Sequence, residues 1–241
     1  MWLYRTLLLL LTPIILLKIR RFKKSYVHYR AKEALGVWPA VEADLWIHCA
    51  SVGEVLAVRP LVLQWREKYP NHRLLMTTMT PTGAEQVAKA FPFAEHRYLP
   101  MDWRFSVKST LKKITCQHLL IGETELWPNL LQFAKRQGVR IEVVNARLSE
   151  RSFQRYQKFP LVSRPLFALP DCFLAHAQSD AFRFAPIFNP APHKMVFRNA
   201  AFAAAFDQCF DDLRQSGVIG LINQKYIDKY QNVLRFRYLG R

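Results

Sequence analysis

The chain has 241 residues, 51% of them hydrophobic, with 35 Lys and Arg against 18 Asp and Glu for a formal net charge of +17. That length and apolar content suit one large domain or two small ones with a sizeable core. The charge calls for an anionic partner: nucleic acid, a phospholipid surface or a phosphorylated ligand. Zinc-finger spacing and the aromatic signature of an RNA-binding sheet are both absent, so nucleic acid is not the expected partner. Cys49, Cys116, Cys172 and Cys209 stand apart without a C-x-x-C pair, which fits reduced thiols better than a disulfide framework.

The first segment, "MWLYRTLLLLLTPIILLKIRRFKK", is an apolar run ending in a basic cluster, with no acidic residue before Glu33. Arg5 and Pro13 interrupt it, and its apolar part is near the short end of the roughly 17–25 residues that span a bilayer. No small-residue cleavage site follows it. Residues 1–24 are therefore expected to anchor the chain to a membrane, either as a short spanning helix or as a helix lying in the interface. Arg20, Arg21, Lys23 and Lys24 place the rest on the cytoplasmic side and suit lipid headgroups. The bland alternative is a buried first helix.

From residue 44 onward short apolar runs alternate with longer helical segments. Strands are expected at 44–49, 73–79, 96–99, 117–122, 140–145 and 172–177, with helices at roughly 54–69, 83–91, 104–113, 127–137 and 151–169. This alternation predicts an α/β fold with a parallel sheet covered on both faces. Pro60 should kink the first of these helices or mark its effective start. Gly138 sits where a helix C-terminus wants a left-handed residue.

The polar turns "ASVGE", "TPTG", "PMD", "ETELWP" and "NARLS" each follow an expected strand. Ligands of open parallel sheets bind beyond the carboxyl ends of the strands. The rim residues Ser51, Gly53, Thr78, Thr80, Thr82, Gly83, Glu125, Arg147 and Ser149 are accordingly read as substrate-binding. Ser51-x-x-Glu54 also has the form of a capping box, as does Thr82-x-x-Glu85, so Glu54 is either a cap or a catalyst. Glu123 and Glu125 suit the positive end of the helix that follows, or a second acid–base or electrostatic role beside Glu54. Arg147, Arg151 and Arg155 offer phosphate contacts; the last two also fit a solvated helix face. No metal-ligand spacing, P-loop, dinucleotide fingerprint or nucleophile elbow is present.

Taken together, "ASVGE", "TTMTPTG", "YLPMD", "ETELWPN" and "NARLSERS" resemble, in order and spacing, the 3-deoxy-D-manno-octulosonic acid (Kdo) transferases, over about residues 1–180. The resemblance implies a Rossmann-like parallel sheet over residues 25–180, the acceptor-binding N-terminal half of a GT-B glycosyltransferase, inverting and metal-independent, with no cofactor. It implies transfer of Kdo from CMP-Kdo to a lipid A precursor at the cytoplasmic face of the inner membrane, in lipopolysaccharide biosynthesis. Glu54 matches the family's general base and Glu123 its transition-state stabiliser.

After Asp180 the motif likeness stops. The family's T-G-N-L-K-F-D-like block, whose lysine assists catalysis, has no counterpart. About 60 residues remain, whereas a Rossmann-like domain needs on the order of 100 or more. Residues 181–241 are expected to be divergent or out-of-frame. The competing expectation is therefore an acceptor-binding half-enzyme on the membrane, inactive alone.

Overall fold

The computed structural model describes residues 2–175. The expected tail, 181–241, lies outside the described residues. Two helices open the chain, α1 (Trp2–Leu10) and α2 (Thr12–Ser25), followed by α3 (Ala31–Ala34) and strands β1 (Val41–Glu42) and β2 (Leu45–His48). Then come α4 (Val52–Ala57), α5 (Arg59–Lys68), β3 (Leu74–Thr78), α6 (Pro81–Ala90), β4 (Glu95–Tyr98), α7 (Arg104–Leu111) and β5 (Ile114–Thr115). The series ends with β6 (His118–Gly122), α8 (Pro128–Arg136), β7 (Arg140–Ala146), α9 (Glu150–Lys158), α10 (Pro160–Phe167) and β8 (Cys172–Ala175).

Six strands form one sheet in the order β4-β3-β2-β6-β7-β8, and every pairing in it is parallel. The expected parallel α/β sheet is therefore present. Its central strands β2, β3, β6 and β7 are buried on both faces, so they read as apolar runs rather than alternating ones. Trp46 and Ile47, both 0% exposed, show the two-sidedness. Trp46 joins Val107, Leu130, Leu131 and Phe167 under α7, α8 and α10. Ile47 joins Val55, Val62, Val87 and Phe91 under α4, α5 and α6. From β2 the chain winds outward through β3 to β4; from β6 it winds the other way to β8. The strand order thus reverses between β2 and β6, the switch point where such sheets open a crevice.

Prolines account for several boundaries. The expected helix 54–69 divides at Val58, because Pro60 lies in the first turn of α5, where its missing N–H costs nothing. The expected helix 151–169 divides at Phe159, before Pro160, for the same reason. Pro81 opens α6 two residues ahead of the expected start, so its N-cap is Thr80. Thr82 and Glu85 consequently form no capping box. Gly138 has φ +79, the left-handed conformation its place after α8 demands. The short pair β1–β5 has no periodic signal and was not expected.

Among the described residues no helix is long and apolar enough to cross a membrane. Instead α1 and α2 lie against the domain. Ile19 is buried in a cluster with Tyr29 and Tyr98. Trp103 Nε1 donates to Thr12 Oγ1 at 3.1 Å, and Thr12 Oγ1 donates to the Leu8 carbonyl. The outward face remains apolar: Leu7, Leu9, Leu10, Leu11, Ile14, Leu16 and Leu17 are exposed. The segment thus has one face packed on the domain and one face exposed.

The basic connector is fixed to the sheet edge through Glu33. This carboxylate is 4% exposed, pairs with Arg30 at 2.6 Å and Arg97 at 3.0 Å, and accepts the Tyr98 N–H at 2.9 Å. Glu33 is buried but its arginine partners reach solvent, so its loss forfeits hydrogen bonds to a charged group rather than burying an unpaired charge. Glu33→Ala is expected to cost about 2 kcal/mol, measured as a lower midpoint of thermal or urea unfolding.

Candidate active site

β2 ends at His48 and the chain turns through Cys49, Ala50 and Ser51 into α4, so the first turn of α4 stands over the carboxyl edge of the sheet. Glu54 is only 5% exposed. Its Oε2 accepts the Ala50 N–H at 2.8 Å and its Oε1 accepts the Ser51 hydroxyl at 2.8 Å. Ser51 Oγ accepts the Glu54 N–H in return, at 3.4 Å. The capping arrangement is therefore real, but the carboxylate reaches the residue before the N-cap and the hydroxyl itself. Each carboxylate oxygen takes one donor here and keeps a second acceptor site.

Across the switch point β6 ends in Gly122 and the turn 123–127. A Cβ on Gly122 would lie 3.3 Å from the His48 carbonyl, 3.4 Å from Cys49 Sγ and 3.5 Å from Glu54 Oε2. Glycine lets the ends of β2 and β6 close on each other. Glu123 follows with φ +54, a left-handed conformation rare for a side-chain-bearing residue, and Asn145 on the neighbouring strand has φ +56. The Glu123 N–H donates to the Val144 carbonyl at 2.9 Å. Thr124 Oγ1 donates to the Arg147 carbonyl and accepts the Arg147 N–H, clamping two rim turns together. Arg147 Nε lies 4.0 Å from Glu123 Oε1, with its side chain half exposed.

Three carboxylates share this edge. Burial pushes the Glu54 carboxyl above its usual range; Ser51 and Ala50 oppose the rise, while Glu125 and Glu123 add to it. Burial and then Glu123 likewise raise Glu125. A carboxylate held above its ordinary range is a better proton acceptor than a solvated one. Beneath the edge, His48 is fully buried. Burial lowers it to about 4, against a hydrogen bond to Thr77 that opposes the fall, so it is neutral. No group of three or more metal-ligating side chains occurs among the described residues.

The residues expected at the site divide into two sets. Ser51, Gly53, Thr82 and Arg147 are exposed and Glu123, Glu125 and Thr80 half-buried along one edge, with Glu54 below them. Thr78 and Gly83 belong to the scaffold. Thr78 is 0% exposed, with its hydroxyl donating to the Thr80 carbonyl at 3.2 Å and meeting His96 Nε2 at 2.9 Å. A Cβ on Gly83 would meet Thr80 Oγ1 at 3.0 Å and Thr78 Cβ at 3.2 Å. Thr80 and Ser149 cap α6 and α9, accepting the Gly83 and Ser152 N–H groups. Gly122, Thr124 and Asp102 were missed as contributors. Gly122 had a signal in "IGETE", a glycine closing a strand immediately before an acidic turn.

This is an open α/β domain of Rossmann type with a buried, raised carboxylate at its switch point. A family profile described as 3-deoxy-D-manno-octulosonic-acid transferase (kdotransferase) matches residues 20–204, extending past Asp180. The chain belongs to that family. A "3-deoxy-D-manno-octulosonic acid transferase" of Haemophilus influenzae is 34% identical over 194 residues, 78% of this chain and 45% of the relative. One of Chlamydophila psittaci is 29% identical over 171 residues, 67% of this chain and 40% of the relative. A "Probable 3-deoxy-D-manno-octulosonic acid transferase, mitochondrial" of Arabidopsis thaliana is 32% identical over 170 residues, 67% of this chain and 38% of the relative. The chain thus spans about half the length of the curated relatives it matches. Among solved structures, a UDP-N-acetylglucosamine 2-epimerase overlays on 65% of this chain and 45% of its own, with TM-score 0.47 and 18% identity.

The raised Glu125 has a signed consequence for stability. Its folded carboxyl sits above the ordinary 4.5, so the folded state binds that proton more tightly than the unfolded chain. Stability from this group is present at low pH and is lost as pH climbs through the raised value. Glu125→Gln is expected to raise the thermal midpoint by about 2 °C or more at pH 7.5 and to leave it unchanged near pH 4, by scanning calorimetry at both.

Proposed function

We propose that this chain is the acceptor side of a glycosyltransferase of lipopolysaccharide biosynthesis, moving Kdo from CMP-Kdo onto a lipid A precursor. Glu54 takes the proton from the acceptor hydroxyl as that oxygen attacks the anomeric carbon of Kdo. The bond from the anomeric carbon to the cytidylate phosphate breaks, and the phosphate leaves with the electron pair. Glu123, held by its backbone and facing Arg147, stabilises charge as it develops. Arg147 and the exposed hydroxyls of the rim contact the phosphorylated sugar. The donor and its leaving group are the task of a second domain, as in the family's GT-B arrangement.

The observation that carries this reading is Glu54: nearly buried, oriented by Ala50 and Ser51, and raised by burial and two like charges. Ser51 and Ala50 occupy one acceptor site on each oxygen and leave room for a hydroxyl. In a chimera that supplies a relative's donor domain, Glu54→Gln is expected to lower transfer by about 10²–10⁴-fold, read by mass spectrometry of the lipid product. The unmutated chimera should gain rate with pH through a limb above the ordinary carboxylate range. A loss under tenfold with unchanged stability returns Glu54 to the capping role alone.

The acceptor is a membrane lipid, and the same reading places the chain on the cytoplasmic face of the inner membrane. The support is the exposed apolar face of α1 and α2 beside Lys18, Arg20, Arg21, Lys23 and Lys24. Because these helices also pack on the domain, deleting them would confound attachment with folding. Leu10→Glu, Ile14→Glu and Leu17→Glu together change only exposed positions. The triple variant is expected to leave the membrane pellet for the soluble fraction with its unfolding midpoint unchanged.

A further inference from the structure

Helix α8 begins directly after the turn that carries Glu123 and Glu125, so whatever holds its first residues holds that turn. Its own N-cap residue, Trp127, supplies no side-chain cap, and Pro128 has no N–H. The next two N–H groups, of Asn129 and Leu130, both go to Asp102, at 2.8 Å each, on Oδ2 and Oδ1. The cap therefore comes from a distant part of the chain, the turn before α7. Asp102 is 1% exposed and Asn129 0%. The pair is locked a third time by Asn129 Nδ2 donating to the Asp102 carbonyl at 2.6 Å.

The remaining partners of this buried pair come from α1. Tyr4 Oη donates to Asp102 Oδ2 at 2.8 Å. Arg5 Nε donates to Asn129 Oδ1 at 2.9 Å, and Arg5 Nη2 donates to Gln132 Oε1 one turn further along α8, at 2.8 Å. Arg5 is the charge that interrupts the apolar run, and it spends that charge on two amides of α8. We infer that Tyr4 and Arg5 are positioning residues for the turn 123–127, acting through Asp102 and Asn129. The helix that presents an apolar face outward at Leu7, Leu9 and Leu10 thereby also braces the turn carrying Glu123 and Glu125. The catalytic meaning of that turn rests on the function proposed above; the brace itself does not.

The test is amide hydrogen exchange on the full chain, residue by residue at Asn129 and Leu130. Tyr4→Phe keeps the ring and removes the hydroxyl; Arg5→Met keeps much of the stem and removes the donors. Each is expected to quicken exchange at those amides about tenfold, the scale for losing one hydrogen bond to a charged or buried polar partner. Val62→Ala, at a buried position of α5 on the opposite face, serves as a control for general loss of stability and should leave them unchanged. A second reading is carboxyl-carbon titration of Glu125, which should fall toward the ordinary carboxylate range in Tyr4→Phe as the turn loosens and its burial lessens. Equal quickening by Val62→Ala would overturn the inference, because these amides would then open only with the whole domain. Unchanged exchange in Tyr4→Phe and Arg5→Met would overturn it as well. Binding of a doubly phosphorylated glucosamine disaccharide by the unmutated chain reads the functional proposal separately. Its absence sinks that proposal and leaves the exchange result to decide the brace.

Discussion

Parallel pairing of β2 with β3 on one side and β6 on the other is the constraint on which the site depends. Parallel strands all end at the same edge, so every turn leaving a strand opens on one rim. The order reverses between β2 and β6, so the turns after these two strands diverge and leave a crevice. Glu54 follows β2 and Glu123 follows β6. Two residues 69 positions apart in sequence are thus neighbours because of hydrogen-bond register, with Gly122 permitting the closest approach.

The capping geometry and the proposed chemistry of Glu54 are compatible. A cap must be a rigid acceptor, and so must a general base. The Ala50 N–H and the Ser51 hydroxyl orient the carboxylate and partly offset its burial, while Glu123 and Glu125 push it the other way. The outcome is a rigidly held carboxylate raised above the ordinary range. A carboxylate raised in this way costs stability once it is ionised. The left-handed backbone at Glu123 and Asn145 is a further cost at the same edge.

The N-terminal segment combines two environments in one short stretch. Its outward leucines suit a lipid surface, and its inward Tyr4, Arg5, Thr12 and Ile19 are committed to the domain. Arg5 donates to two amides of α8. Meeting buried amides gives that arginine a reason to interrupt an apolar run, and it ties the surface-facing helix to the acidic turn.

Much of the fold was legible because its signals are local. Apolar runs separated by helical spacing gave the central strands β2, β3, β6 and β7, and Pro60 marked a helix start where proline geometry requires one. Glu54, Glu123 and their rim were legible for a related reason: polar turns after apolar strands point to one edge. The burial of Thr78 was not legible because a hydroxyl in sequence carries no sign of its partner, and here the Thr80 carbonyl and His96 meet it in the interior. Asp102 passed unnoticed because the helix it caps lies 27 residues onward. The sequence by itself determined the class of sheet, the order of the rim motifs and the apolar–basic character of the first segment. Only the tertiary structure decided which carboxylates share a crevice and which face of that segment packs on the domain. Register and burial are set by contacts between distant parts of the chain, which periodicity along it does not encode.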